Sequence, residues 1–225
     1  MIKVFKINKL VLILTIVIIA YIICLNINFT RKTNAESYKS PFVLIDAGHG
    51  SLDGGAVGTK TGVKESDLNL EYAKTLKQFF LSMNFRVELI RNSESGLDED
   101  KYEDMLKRKA IIEKSKCDIF ISIHMNKFSL SSSIGAQAFY KLEDEESEKL
   151  ANSIRDLLVK NIENARELTL SGDYLVLNSA KCPAVLVECG FLSNEKDELR
   201  LQTTEFRNNL CYQIFCGTIK YLNGK

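Results

Sequence analysis

The chain has 225 residues, with 30 Lys/Arg and 29 Asp/Glu, so it has room for one good-sized domain or two very small ones. Residues 1–40 hold six of the basic residues and one acidic residue, which leaves 24 basic and 28 acidic residues in 41–225. That slightly acidic remainder has no basic stripe and no nucleic-acid motif, which argues against nucleic acid as a partner.

The N-terminal segment differs in composition from the rest of the chain. Lys3, Lys6 and Lys9 precede an unbroken apolar run over 10–25, and a polar stretch follows it. A basic start followed by a long apolar core is typical of an export signal or a signal anchor. We therefore predict that residues 1–40 are a signal peptide or membrane anchor plus a linker, and that the protein is exported. Anchoring is favoured over cleavage.

Apolar runs and helical spacing predict alternating strands and helices in the remainder. In chain order they are a strand at 42–45, a helix at 65–83, a strand at 85–90, a helix at 103–115, strands at 119–123 and 136–140, a helix at 143–164, strands at 174–177 and 184–187, and helices at 195–201 and 204–222. This alternation predicts a single α/β domain. Its sheet is expected to be mixed and partly parallel, with about six strands and helices on both faces.

Cysteine usage does not indicate a disulfide framework. Five cysteines follow residue 40, none of them in a C-x-x-C pair, and an odd number cannot all pair within one chain. We interpret them as small, buried apolar residues rather than disulfides or a sulfur metal site.

The only two histidines each follow a predicted buried strand. His49 lies in a glycine-rich segment, residues 48–58, which we call the glycine loop, and His124 follows the strand at 119–123. In an open α/β sheet, catalytic groups gather beyond the carboxyl ends of the strands, so a metal site is expected there. A single histidine would be better explained as a hydrogen-bonded residue of the core. The loop does not match a dinucleotide fingerprint, because Asp53 stands where a third glycine is needed.

Glu188 follows another apolar run, at 184–187. A buried carboxylate is costly unless it is paired or bound to a metal. One explanation is a salt bridge with Arg91 or Arg108, and the other is a catalytic role.

A catalytic zinc site would account for these residues together. Such a site usually has three protein ligands and one open position. His49 and His124 supply two ligands, and Glu65, at the start of the next predicted helix, is the best third. Glu188 is then free to act as the general base that accepts a proton from water.

The chain also carries a set of family motifs. They are Asp46–Gly50, Asp53–Gly58, Glu65, Ser122–Asn126 and Pro183–Asn194. In this order and spacing they resemble the zinc-dependent N-acetylmuramoyl-L-alanine amidases (type 3) over residues 42–222. Ala47 departs from the proline of many members, which removes no ligand but should stiffen the loop less.

The resemblance implies a reaction and a set of site residues. Zinc would be held by His49, Glu65 and His124, with Glu188 as catalytic base and residues 41–225 as the catalytic domain. The reaction implied is hydrolysis of the amide between the lactyl group of N-acetylmuramic acid and L-alanine in peptidoglycan. Arg108 falls where the family often has an arginine, and its role is interpreted as structural.

Within the family, the small size, the N-terminal segment and residues 135–140 are similar to the germination-specific amidases of spore-formers. That similarity implies removal of stem peptides from spore cortex so that muramic-δ-lactam can form. The alternatives are a general cell-wall autolysin, a zinc peptidase that cuts within the stem peptide, and a catalytically silent wall-binding protein. In each case the protein acts in the wall or cortex compartment, either anchored or secreted.

Control of the activity is expected to come from outside the chain. Some family members carry an inserted helix after the second histidine that blocks the zinc. Here only residues 127–135 precede the next predicted strand, and Ser129–Ser133 is too short and too poor in helix formers for such a plug. We therefore expect an open cleft, restrained by membrane tethering, by the timing of synthesis, or by a partner protein that completes the metal site.

Overall fold

The structure, a computed structural model, describes residues 9–33 and 40–224. The chain divides into two units, Met1–Lys39 and Ser40–Lys225. In the first unit, Lys9–Thr33 forms helix α1. Across the described ranges, no helix combines the length and the apolar character needed to cross a membrane. Lys3 and Lys6 of the predicted export segment lie outside the described residues, and its function as a signal or anchor stays a prediction.

The second unit is built on one sheet of six strands. The strands are β1 (Phe42–Ala47), β2 (Arg86–Leu89), β3 (Ile119–Asn126), β4 (Gln137–Lys141), β5 (Leu170–Gly172) and β6 (Ala184–Phe191). Their order across the sheet is β2-β1-β3-β6-β4-β5. The first four strands in this order are parallel, whereas β4 runs antiparallel to β6 and parallel to β5. The predicted mixed, partly parallel sheet is confirmed.

Helices cover both faces of the sheet, as predicted. They are α2 (Glu65–Ser82), α3 (Lys101–Lys114), α4 (Glu145–Asn161), α5 (Leu175–Ser179), α6 (Glu195–Leu201) and α7 (Thr204–Asn223). The larger apolar core lies between the sheet and α2, α4 and α7, and the smaller core lies between the opposite face and α3 and α5.

Strand β1 shows how the sequence specifies this two-faced sheet. All six of its residues are buried, as expected for a parallel strand with helices on both sides. Val43, Ile45 and Ala47 belong to the larger core, and Leu44 belongs to the smaller one. Asp46 is also buried and pairs with Arg108 of α3. The strand's two-residue period therefore directs one charged side chain into the core below the end of the strand.

Side-chain caps set the starts of several helices. Asp100, Asp144, Asn194 and Thr203 each accept a hydrogen bond from a backbone N–H in the first turn of the following helix. The cap at Asp144 explains why α4 begins at Glu145, two residues later than the predicted start.

The prediction of a strand at 174–177 is wrong. Leu175–Ser179 forms the short helix α5, in which the N–H of Asn178 donates to the carbonyl of Tyr174 at 2.9 Å. The edge strand β5 lies a few residues earlier, at Leu170–Gly172. A four-residue apolar run is too short for its periodicity to separate strand from helix, so its packing against the smaller core decides the conformation.

Strands β3 and β6 are longer than predicted. Both continue past their apolar runs, so His124 and Glu188 lie within the strands rather than beyond them. These two residues are register partners in the parallel pair. A bulge follows between His124 and Asn126, and pairing resumes between Asn126 and Phe191. The backbone hydrogen bonds of the sheet thus keep these polar residues in a strand conformation, whereas hydropathy alone would place them in a loop.

The cysteines are only in part as predicted. Cys189 and Cys211 are buried, whereas Cys117, Cys182 and Cys216 are partly exposed. All five are free thiols in the structure.

Candidate metal centre

His49 lies two residues after the end of β1 and just before the turn at residues 51–52. Its backbone φ is 62°, in the left-handed region that favours glycine, so the loop holds a non-glycine residue in a costly conformation. Nδ1 of His49 lies 2.8 Å from Oδ2 of Asp53, four residues on. This contact orients the ring and leaves Nε2 to face Glu65.

Glu65, the first residue of α2, lies between the two histidines. Its Oε1 is 3.2 Å from Nε2 of His49 and 2.9 Å from Nδ1 of His124. The N–H of Met125 donates to the same oxygen at 3.2 Å, and the N–H of Ala56 donates to Oε2 at 2.8 Å. The carboxylate is therefore fixed by the strand on one side and by the glycine loop on the other.

The electrostatics of this cluster favour a carboxylate in its charged form. Burial alone would raise the pKa of Glu65, but its hydrogen bonds with His124 and His49 hold that pKa well below its usual range. Burial lowers the pKa of both imidazoles, and their hydrogen bonds with Glu65 outweigh it and raise their pKa values. In the absence of a metal, the negative charge of Glu65 thus favours the protonated form of both histidines.

Two glycines bring the loop backbone up against these side chains. A Cβ added at Gly48 would lie 2.1 Å from Cε1 of His124, and one at Gly55 would lie 2.6 Å from Oε2 of Glu65. Gly55 also has a φ of +67°, which disfavours any side chain there.

The Gly48→Ala variant is expected to weaken metal binding by about 10-fold or more, because the new methyl group must displace the His124 ring. Zinc affinity by competition with a chromophoric chelator measures this loss. Gly54→Ala is the matched control, since its Cβ would meet Lys64 only at an ordinary 3.4 Å. If the two variants bind zinc with equal affinity, the close approach of Gly48 to the His124 ring does not contribute to metal binding.

Glu188 faces the same space from β6. It is the register partner of His124 on one side and of Gln137 on the other. Its Oε2 is buried and receives no hydrogen bond from any described residue. Burial raises its pKa to about 7. The sequence allowed a salt bridge of Glu188 with Arg91 or Arg108, but none is present in the described part of the chain. Arg91 donates to the carbonyl of Ser66 instead, and Arg108 pairs with Asp46.

Arg108 of α3 ties the glycine loop to the smaller core. It is 1% exposed, its Nη1 lies 2.6 Å from Oδ1 of Asp46, and its Nε donates to Asp104. It also donates to the carbonyls of Ala47 and His49, so one guanidinium holds the chain on both sides of Gly48. This arrangement supports the structural role expected for Arg108.

The Arg108→Met variant is expected to lose about 3–5 kcal/mol of unfolding free energy, because two buried carboxylates lose their counter-charge. Denaturant unfolding of the metal-free protein measures the loss. Lys109→Met, on the same helix, breaks only an exposed pair with Glu113 and should change stability by about 0.5 kcal/mol or less. Equal stabilities of the two variants would show that the buried pair is dispensable.

A cavity of about 260 Å³ opens beside the cluster. Polar and apolar side chains both line it. The polar ones include His49, Asp53, Lys101, His124 and Glu188, and the apolar ones include Met105, Tyr174, Leu175, Val176 and Leu186. The connection between β3 and β4, residues 127–136, contains bends and turns but no helix.

The residues fit a metal ion. Ligand atoms of His49, Glu65 and His124 all lie within 4.8 Å of one another, and these three are the only such group among the described residues. Two imidazoles and a carboxylate are a typical donor set for catalytic zinc. The unpartnered oxygen of Glu188 beside them is a buried acceptor in need of a proton donor or a cation.

Residues 43–220 match the family described as N-acetylmuramoyl-L-alanine amidase. Apart from Phe42 at the start of β1, this match includes all six strands, and it includes every residue of the cluster. The chain belongs to the N-acetylmuramoyl-L-alanine amidase family.

Several relatives of the amidase cover most of its length. The germination-specific N-acetylmuramoyl-L-alanine amidase of Bacillus subtilis (strain 168) is 31% identical, over 92% of this chain and 94% of the relative. Among solved structures, the CwlD amidase from Clostridioides difficile, in complex with the GerS lipoprotein, superposes with a TM-score of 0.79. It is 31% identical and covers 83% of this chain and 100% of that chain.

A second solved structure is the catalytic domain of CwlV, from Bacillus (Paenibacillus) polymyxa var. colistinus. Its TM-score is 0.74 at 30% identity, and it covers 82% of this chain and 99% of that chain. The predicted family and fold of the amidase are thus confirmed.

Sequence reasoning assigned no role to two residues that position the cluster. Asp53 orients His49, and Asn69 donates to Oε1 of Glu65 and to the carbonyl of Gly48. The signal for Asn69 was available, because it lies one helical turn after Glu65 and therefore on the same face of α2.

Proposed function

We propose that the protein hydrolyses the amide bond between N-acetylmuramic acid and L-alanine in peptidoglycan, with spore cortex as its substrate. The observation that carries the proposal is the family match, which spans the His49–Glu65–His124 cluster and Glu188. The name of the Bacillus subtilis relative supports the germination setting.

We further propose that His49, Glu65 and His124 hold zinc. When bound, zinc supplies Lewis acidity that polarises a carbonyl group and acidifies water. Asp53 and Asn69 keep the donor atoms in place, through Nδ1 of His49 and Oε1 of Glu65. These contacts restrict the rotamers of the donors before any ligand arrives.

Glu188 acts as the proton carrier in this proposal. Its buried, unpartnered Oε2 and a pKa of about 7 suit a group that takes a proton from water near neutral pH. The same carboxyl group can then return that proton to the departing nitrogen of L-alanine. Tyr174 and Leu175 line the same cavity as Glu188, and such apolar neighbours favour the neutral form of the carboxyl group.

Digestion of purified cortex peptidoglycan tests the reaction. The amidase should release stem peptides with a new amino terminus at L-alanine and leave the glycan strands intact. A new amino terminus elsewhere would indicate a peptidase, and no release by a zinc-loaded protein would indicate a silent wall-binding protein. Equal rates on cortex and vegetative wall would indicate a general autolysin.

A partner protein is proposed as a source of control, supported by the Clostridioides difficile neighbour, whose structure contains a lipoprotein. Residues 41–225 alone should then hold zinc weakly and release few peptides. Adding the partner, tested first as the organism's own lipoprotein homologue, should raise zinc occupancy and activity in parallel, since the two equilibria are linked. Stoichiometric zinc with rapid turnover by the isolated domain would rule the partner out.

Membrane tethering through residues 1–40 is proposed as a second restraint. It is supported by the basic and apolar pattern of that segment. Fractionation of cells that express the full chain would place the protein with membranes, and a shortened protein in the soluble exported fraction would show cleavage.

A further inference from the structure

Cys117 and Cys182 lie at the amino-terminal ends of two central strands, whereas the candidate metal centre lies toward the carboxyl-terminal ends. Cys117 comes two residues before β3 and Cys182 two residues before β6, and these strands are parallel neighbours. Their sulfur atoms are 2.9 Å apart. This separation is longer than the ~2.05 Å of a disulfide bond, so the structure shows two thiols in close contact.

We propose that Cys117 and Cys182 form a disulfide in the exported protein, and that this bond fixes the start of β3 against the start of β6. The inference concerns the covalent structure of the chain and does not depend on its hydrolytic activity. It replaces the interpretation that the cysteines serve only as small apolar residues.

The backbone already holds the two cysteines side by side. The N–H of Phe120 donates to the carbonyl of Pro183 at 3.0 Å, next to Cys182. The N–H of Asp118 donates to the carbonyl of Phe42 at 2.7 Å, which anchors the residue after Cys117 to β1. Neighbouring strands are about 4.8 Å apart, within the Cα separations that disulfides bridge. Bond formation therefore requires side-chain rotation and no rearrangement of the sheet.

The surroundings of the pair make one sulfur a nucleophile. Contact with the Cys182 thiol lowers the pKa of the Cys117 thiol, and Oγ of Ser115 lies 3.2 Å from the same sulfur. Burial instead raises the pKa of Cys189 and Cys211, which keeps those thiols protonated and unreactive.

The reaction is thiol–disulfide exchange with an external disulfide such as oxidised glutathione. The Cys117 thiolate attacks one sulfur of the oxidant, breaks its S–S bond and releases one glutathione thiolate. Cys182 loses its proton and attacks the Cys117 sulfur of the mixed disulfide, which releases the second glutathione. The two cysteine sulfurs are oxidised, the two electrons reduce the oxidant, and the two protons pass to solvent or to the released glutathione.

The bond would close a long loop. Residues between Cys117 and Cys182 include β3, β4, α4, β5 and α5, so the link restricts a large part of the unfolded chain. A disulfide of this kind stabilises the fold mainly by removing conformations from the unfolded state.

The test begins with the full chain, purified with reductant in a mild detergent and then incubated with oxidised glutathione. Peptide mapping without reductant should recover the two peptides that contain Cys117 and Cys182 linked to each other. The melting temperature should rise by roughly 5–15 °C and fall again after dithiothreitol is added.

Variants separate this pair from the other cysteines. Cys117→Ser and Cys182→Ser should each show no response of melting temperature to the oxidant. Cys216→Ser, which changes a partly exposed cysteine elsewhere, should respond as the wild type does. If a serine variant does not fold, alkylation of the wild type before and after oxidation gives the same information, because both thiols should become unreactive together.

Four results would overturn the proposal. They are alkylation of both thiols after oxidation, a glutathione adduct on Cys117 that Cys182 does not resolve, a link to a different cysteine, and a linked pair that leaves the melting temperature unchanged.

Discussion

Replacing His124 with alanine is expected to abolish bound zinc and peptide release together. The change removes one of three proposed ligands and leaves Glu65 and His49 to hold the ion with an incomplete donor set. His49→Ala should have the same effect. Elemental analysis gives zinc per chain, and release of stem peptides from cortex gives turnover on the same preparations.

The control for this prediction is Lys127→Ala, which changes an exposed residue just after β3 and should keep both zinc and activity. Wild-type protein stripped with a chelator should lose activity and regain it when zinc is restored, whereas His124→Ala should not recover. Full turnover by a metal-free preparation would refute the metal centre altogether.

The Glu188→Gln variant is expected to keep its zinc and lose activity by ~10²-fold to 10⁴-fold. Glutamine has nearly the same shape but cannot accept and return a proton. Because Glu188 Oε2 makes no hydrogen bond within the described residues, the substitution deprives no neighbouring donor of its acceptor. Single-turnover rates at saturating zinc measure the effect.

Glu65→Gln separates the two carboxylates, because it should lose metal first and activity as a consequence. Loss of zinc from Glu188→Gln instead would mean that the roles of Glu65 and Glu188 are exchanged.

The pH profile adds a second readout of the role of Glu188. Glu188 must be deprotonated to act, and nearby positive charge lowers its pKa, so the acidic limb of the wild-type rate should lie at or below about pH 7. That limb should be missing from Glu188→Gln.

The candidate site was largely predictable because its residues are rare or costly. The chain has only two histidines, both near apolar runs, and Glu188 is an acid in a run of buried residues. Titratable side chains directly after apolar runs are easy to recognise in a sequence. The supporting contacts of Asp53 and Asn69 did not, because polar side chains in loops and helices usually face solvent and only the folded chain shows what they touch.

The fold was predictable where periodicity was long and failed where it was short. Helices such as α2 and α7 have several turns of regular apolar spacing, and their predicted ranges differ from the structure by one residue. Residues 174–177 were misassigned because tertiary packing decides the conformation of so short a run. The closeness of Cys117 and Cys182 could not be predicted either, since it depends on the pairing of β3 with β6.

The strand order has a consequence for the assembly of the proposed catalytic site. β6 lies between β3 and β4 in the sheet but follows both in the chain, so β2-β1-β3 and β4-β5 are joined only when β6 inserts between them. His49, Glu65 and His124 all precede this step, and Glu188 arrives with it. A truncated chain that stops before β6 contains the three proposed zinc ligands but lacks the proposed base. In the proposed mechanism, the strand that joins the two parts of the sheet therefore also completes the catalytic site.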